Sequence, residues 1–143
     1  MKYGVVTGSD GLQTAQEVGF DYVEIPLARE VGPLLSDIDR DSRAKLLADA
    51  QIPVEAGCVF FPAELKVIGP DADEASISEY VDAVIDRSAE LGIEIAVFGS
   101  GDSRNIPDGF PVEEAENQVD ALLQMMGDRA QAREITIVIE PLN

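Results

Sequence analysis

Apolar residues along the 143-residue chain switch repeatedly between a strand-like and a helix-like period. Tyr3 to Thr7 is a short β-rich run, followed by the loop Gly8-Ser9-Asp10-Gly11. Leu12 to Val18 reads as a helix, with Asp10 placed to cap it and Gly19 to end it. A second strand covers Tyr22 to Ile25 and is closed by Pro26. Residues 27–39 read as a loop, Ser42 to Gln51 as a short helix and Val54 to Phe60 as the third strand. The stretch Phe61 to Asp73 is a long connection broken by Pro62, Gly69 and Pro70.

The clearest helix carries Ile77, Tyr80, Val81, Val84, Ile85, Ser88 and Ala89 at three- and four-residue steps and stops at Gly92. Ile93 to Phe98 is the fourth strand, and Gly99 to Gly109 a polar loop rich in glycine. The next helix opens at Pro111 with Glu113 and Glu114 in its first turn, where the helix dipole favours negative charge. It is expected to bury Val112, Ala115, Val119, Leu122, Leu123 and Met126. Ile135 to Ile139 is a fifth strand, apolar at nearly every position, as a strand covered by helices requires.

Strict β-α alternation specifies a parallel α/β fold in a single domain over residues 1–143. Two architectures satisfy it. An open doubly wound sheet of five strands has about this length, whereas a complete eightfold barrel needs about 250 residues. Spacing alone does not separate them. The absence of a helix after the fifth strand favours a TIM barrel truncated after strand five, with an exposed sheet edge through which the chain self-associates as a homo-oligomer.

Composition narrows the chemistry. There is no histidine, so a Ser-His-Asp triad, a Cys-His pair and a histidine-containing metal site are excluded for this chain taken alone. Catalysis must then run on carboxylates. Cys58 is the single cysteine, which forbids an internal disulfide, fits a reducing compartment and reads as a small buried residue. The net charge of −18, with 28 acidic against 10 basic residues, argues against nucleic acid or anionic membrane as partners. With no signal peptide or membrane span visible, the expected compartment is the cytoplasm. Many surface acids beside only three lysines also suggest a high-salt cytoplasm, where screening relieves self-repulsion.

In parallel α/β folds ligands gather at the carboxyl ends of the strands, so the residues just after each strand are the candidates. Glu140 stands directly after Ile137-Val138-Ile139, where a charge is costly unless a metal, a cation or a substrate compensates it. The bland alternative is an acid salt-bridged at the rim. Glu24, flanked by Tyr22, Val23 and Ile25, either binds a substrate hydroxyl or accepts backbone hydrogen bonds within the barrel layer. Gly99-Ser100-Gly101-Asp102-Ser103-Arg104 offers backbone donors and one guanidinium to an anion, though spacing alone slightly favours a flexible loop with a surface arginine. Thr7 to Gly11 cradles a phosphate or merely caps a helix.

Taken together, several segments resemble the xylose isomerase-like barrels of the sugar phosphate isomerase/epimerase family, which includes tagatose/psicose 3-epimerases and hydroxypyruvate isomerases. They are Gly19-Phe20-Asp21-Tyr22-Val23-Glu24, Phe60 to Lys66, Gly69-Pro70, Phe98-Gly99-Ser100 through Arg104 to Phe110, and Ile139-Glu140-Pro141-Leu142-Asn143. The resemblance implies that Glu140 is both a ligand of a divalent metal (Mn²⁺, Mg²⁺ or Co²⁺) and one of two acid/base glutamates. Glu24, Ser100, Arg104 and Asn143 are then the substrate contacts, and the substrate a small sugar or sugar phosphate. The other ligands of that family come from strands six to eight, which this sequence does not contain. The implied chemistry is proton abstraction next to a carbonyl through an ene-diolate, carried out by the intact parent enzyme, with little or none expected of these residues alone.

Two other readings stay open: an abasic-site endonuclease-type barrel of the same fold family, disfavoured by the acidic charge, and a self-contained α/β module binding a phosphorylated ligand at the Gly8 or Gly99 loop.

Overall fold

The computed structural model describes residues 1–141; Leu142 and Asn143, the latter among the expected substrate contacts, lie outside the described residues. Five parallel strands form one sheet: Gly4–Val6 (β1), Tyr22–Pro26 (β2), Val54–Cys58 (β3), Ile95–Phe98 (β4) and Thr136–Ile139 (β5). Each pairs with the next in sequence, in the spatial order β1-β2-β3-β4-β5. A doubly wound sheet reverses its strand order at a switch point, and no reversal occurs here. Unidirectional winding is the barrel arrangement, so strand order decides what spacing could not.

The helices are Leu12–Val18 (α1), Leu27–Glu30 (α2), Asp37–Ala48 (α3), Glu74–Glu90 (α4) and Val112–Gln131 (α5). In α4 the periodic residues Ile77, Tyr80, Val81, Val84, Ile85 and Ser88 are buried. Asp73 starts this helix by accepting the Ser76 N–H at 2.8 Å, and Gly92, at φ +75°, lets the chain leave it. The core lies between these helices and one face of the sheet, where Val23, Ile25, Ala96 and Phe98 meet Ile77, Val81, Val84, Leu122 and Met126. Phe61 stacks on Tyr80 with ring centres 5.4 Å apart and meets Phe98 edge-on at 5.6 Å. Each such buried apolar side chain contributes about 1.5–3 kcal/mol.

Several boundaries differ from the sequence expectation, each for a local reason. Residues 27–39 are not a continuous loop. Leu27–Glu30 makes one helical turn, and α3 begins at Asp37, five residues before Ser42, because Ser36 accepts the Asp39 N–H at 3.2 Å. β3 ends at Cys58 rather than Phe60, since Val59 turns to φ +47°. Asp10 does not cap α1; its carboxylate lies 3.7 Å from Arg29, and Gly11 stands at the cap position. Val112, expected inside, is 59% exposed because it opens the first turn of α5. β5 is covered on one face only: Ile137 packs against the core, while Val138 and Ile139 are 41% and 54% exposed. Among the described residues no helix is long and apolar enough to cross a membrane.

Candidate functional site

The carboxyl ends of β2, β3, β4 and β5 carry Glu24, Cys58, Gly99 to Arg104, and Glu140. Alternation along β2 sends Val23 and Ile25 into the helix-covered core and Glu24 to the opposite face of the sheet, the inside of the curved wall. Cys58 comes up on the neighbouring strand, where Pro26 and Cys58 are register partners. It is half-buried rather than fully buried, which corrects the expectation of a plain core residue. Burial first, then the nearby Glu24 carboxylate, push its pKa from an ordinary 9.0 up to about 12, with a smaller contribution from Glu140. Both carboxylates are thus within electrostatic reach of one thiol, and Glu24 and Glu140 share the same mouth.

Glu140 follows β5 directly. Its N–H donates to the Phe98 carbonyl at 3.2 Å, continuing the β4–β5 ladder by one step. Its carboxylate lies against the α-carbon of Gly99. Arg104 Nη2 donates to the Glu140 carbonyl oxygen at 2.6 Å, and the guanidinium sits 5.2 Å from the centre of the Phe98 ring. Ser100 is buried and accepts the Phe61 N–H on Oγ at 2.9 Å, tying the β3 exit to the β4 exit. The structure therefore gathers Glu24, Arg104 and Glu140 at the strand ends, while the Ser100 oxygen is engaged in holding two loops together.

Two features went unread in the sequence. From the sequence Gly99 reads as part of a loop offering backbone donors to an anion, or as a flexible loop, whereas its missing side chain is what leaves room for Glu140. Glu30, inside the stretch read as a loop, is fully buried. Its Oε1 accepts from Arg29 Nε and Arg43 Nη1, each at 3.1 Å, and Oε2 has no hydrogen-bond partner among the described residues. No sequence signal marks it, because one of its two partners, Arg43, lies on another helix. A mostly apolar groove of about 330 Å³ between α4 and α5, lined by Val67, Ile77, Gln118, Leu122 and Met125, contains none of the strand-end acids.

Among the described residues no three His, Cys, Asp or Glu side chains converge to hold a metal ion. Glu140 offers one donor, and a complete ligand set is not formed by these residues.

A family model described as the xylose isomerase-like TIM barrel matches residues 12–143. No curated protein sequence matches significantly. Among solved structures, the D-allulose 3-epimerase of Methylomonas sp. in complex with D-allulose superposes with a TM-score of 0.74 at 23% identity, over 100% of this chain and 52% of that one. The D-psicose 3-epimerase of Clostridium cellulolyticum H10 with D-tagatose gives 0.73 at 17%, over 100% and 53%. The 3-keto-D-glucoside 4-epimerase of E. coli gives 0.69 at 17%, over 100% and 57%. The chain spans about half the length of the structures it matches.

Proposed function

The chain belongs to the xylose isomerase-like TIM barrel family, and on that premise we propose that it supplies the β1–β5 side of a sugar isomerase or epimerase active site, with Glu140 as an acid/base group. The observation that carries this reading is the position of Glu140: a carboxylate at the carboxyl end of β5, facing the mouth shared with Glu24, with its backbone held on both sides. That face is where barrel enzymes place their chemistry. The substrate class is a small ketose or its phosphate. D-allulose and D-tagatose, bound in similar folds, are the first compounds to try.

The reaction needs little besides proton movement. Glu140 takes the proton from the carbon next to the carbonyl, and the C–H electron pair becomes the double bond of an ene-diolate as the carbonyl oxygen gains charge. Return of a proton from the opposite face inverts that carbon, and return to the neighbouring carbon isomerises the sugar. The opposite-face acid, which the family resemblance gives as a second glutamate, is not assigned among the described residues. Glu24 holds a substrate hydroxyl at the β2 side, Arg104 and Ser100 line the β4 side, and Asn143 contacts substrate past β5. A divalent cation, Mn²⁺, Mg²⁺ or Co²⁺, would be held in part by Glu140 and would polarise the carbonyl; the described residues do not complete its ligand set. An acidic chain of this kind fits a cytoplasmic setting with no nucleic-acid or membrane partner.

The test is turnover of a ketohexose panel by the whole protein, followed by NMR, with Glu140→Gln beside it. The substitution should lower kcat by at least about 10². Turnover that survives it undiminished removes Glu140 from the chemistry.

A further inference from the structure

Glu140 is seated by residues of the β4 side, and on the reading of Glu140 as the acid/base group we propose that Gly99 and Arg104 are positioning residues for its carboxylate. Gly99 does not have a left-handed backbone, so conformational freedom does not explain a glycine there. Space does. A Cβ at position 99 would fall on Glu140 Oε2, 3.2 Å from its Cδ and 3.4 Å from its Cβ. The carboxylate fills the volume that any side chain at 99 would take.

Arg104 secures the same residue from the other end. Its Nη2 donates to the Glu140 carbonyl at 2.6 Å while the guanidinium lies over the Phe98 ring, 5.2 Å from its centre. The Glu140 N–H is already engaged by the Phe98 carbonyl at 3.2 Å, so both backbone polar groups of Glu140 are held from β4 and its loop. The loop that aims Arg104 is itself fixed. Ser103 Oγ donates to the Ser100 carbonyl at 2.8 Å, the Val67 N–H donates to the Ser103 carbonyl at 2.9 Å, and Lys66 Nζ donates to the Asp102 carbonyl at 3.0 Å. These ties through Ser100, Asp102 and Ser103 hold the loop as a bracket from which Arg104 reaches Glu140.

The two substitutions that separate this role from plain structural support are Gly99→Ala and Arg104→Met, studied by NMR in the 143-residue chain. Gly99→Ala collides only with the mobile end of a side chain, so the melting temperature stays at the wild-type value while Glu140 leaves its seat: its side-chain couplings average and its contacts to residue 99 vanish from the NOE spectrum. Arg104→Met speeds amide exchange at Glu140 by about tenfold, with the amides of β2 and β3 unchanged, and Arg104→Lys restores part of the protection. Wild-type couplings and contacts at Glu140 in Gly99→Ala would overturn the seat, as would exchange in Arg104→Met that is unaltered or accelerated equally across the sheet. In the whole protein, Gly99→Ala lowers kcat about tenfold with KM held. An unchanged kcat together with a displaced carboxylate would sink the acid/base reading and leave the seat standing.

Discussion

Cys58 reports on the carboxylates around it. With its pKa raised from 9.0 to about 12, its thiolate population at pH 8 is lower by about a thousandfold than that of an ordinary cysteine. Its alkylation should accordingly be slow at pH 8 and keep rising with pH to about 12 instead of levelling near 9. Glu24→Gln removes the negative charge beside the thiol, so the midpoint falls and alkylation at pH 8 quickens. Burial, the largest cause, remains, so the rate should not reach that of a free thiol. Timed alkylation with mass-spectrometric readout checks both statements, and an insensitive rate in Glu24→Gln would separate Glu24 from Cys58. At this scale the sequence disclosed what depends on position along a strand. Glu140 and Glu24 were legible because a charge at or inside a β-run is costly. Cys58 as a reporter, Gly99 as a seat and Glu30 as a buried acid were not, because each acquires its meaning from a residue on another strand or helix.

The elements were legible in proportion to their apolar period. α4 and α5 announce themselves over four and five turns, whereas α2 is a single turn and α3 has one buried residue, Leu47, so periodicity had little to register. What starts α3 is a cap, not a stripe. Removing that cap with Ser36→Ala, which orphans the Asp39 N–H, should cost about 1 kcal/mol in urea unfolding. Gly57 in β3 shows the opposite sensitivity. A methyl there falls on the fully buried Leu27 side chain, 2.5 Å from its Cγ, with no exposed end to swing away. Gly57→Ala should therefore destabilise by about 1–3 kcal/mol as an overpacked core site, measured the same way. The contrast with Gly99→Ala, where the obstructing atom is a movable carboxylate, is a contrast between packing and positioning.

Over the whole molecule, the class of fold was plain from β-α alternation, but the choice between barrel and open sheet rests on strand order, which periodicity does not encode. Among the described residues the sequential order β1 to β5 leaves β1 and β5 each with one neighbour, and on these edge strands Val6, Val138 and Ile139 are 41–56% exposed. Such edges pair readily with other chains. Sedimentation of the 143-residue chain should show association that grows with concentration, and a strict monomer over a hundredfold range would speak against it. The charge of −18 opposes that association and the compact state alike. Thermal unfolding should shift upward from low to molar KCl as screening weakens the repulsion, and a salt-independent midpoint would dismiss the idea of a salt-adapted chain.

The most direct test of the central claim follows the proton itself. The whole protein is incubated in D₂O with D-allulose or D-tagatose, and deuterium entering the carbon next to the carbonyl is counted by NMR. Steady incorporation is expected of the wild type, with a loss of at least about 10² in Glu140→Gln. Incorporation at the wild-type rate in that variant would contradict the claim.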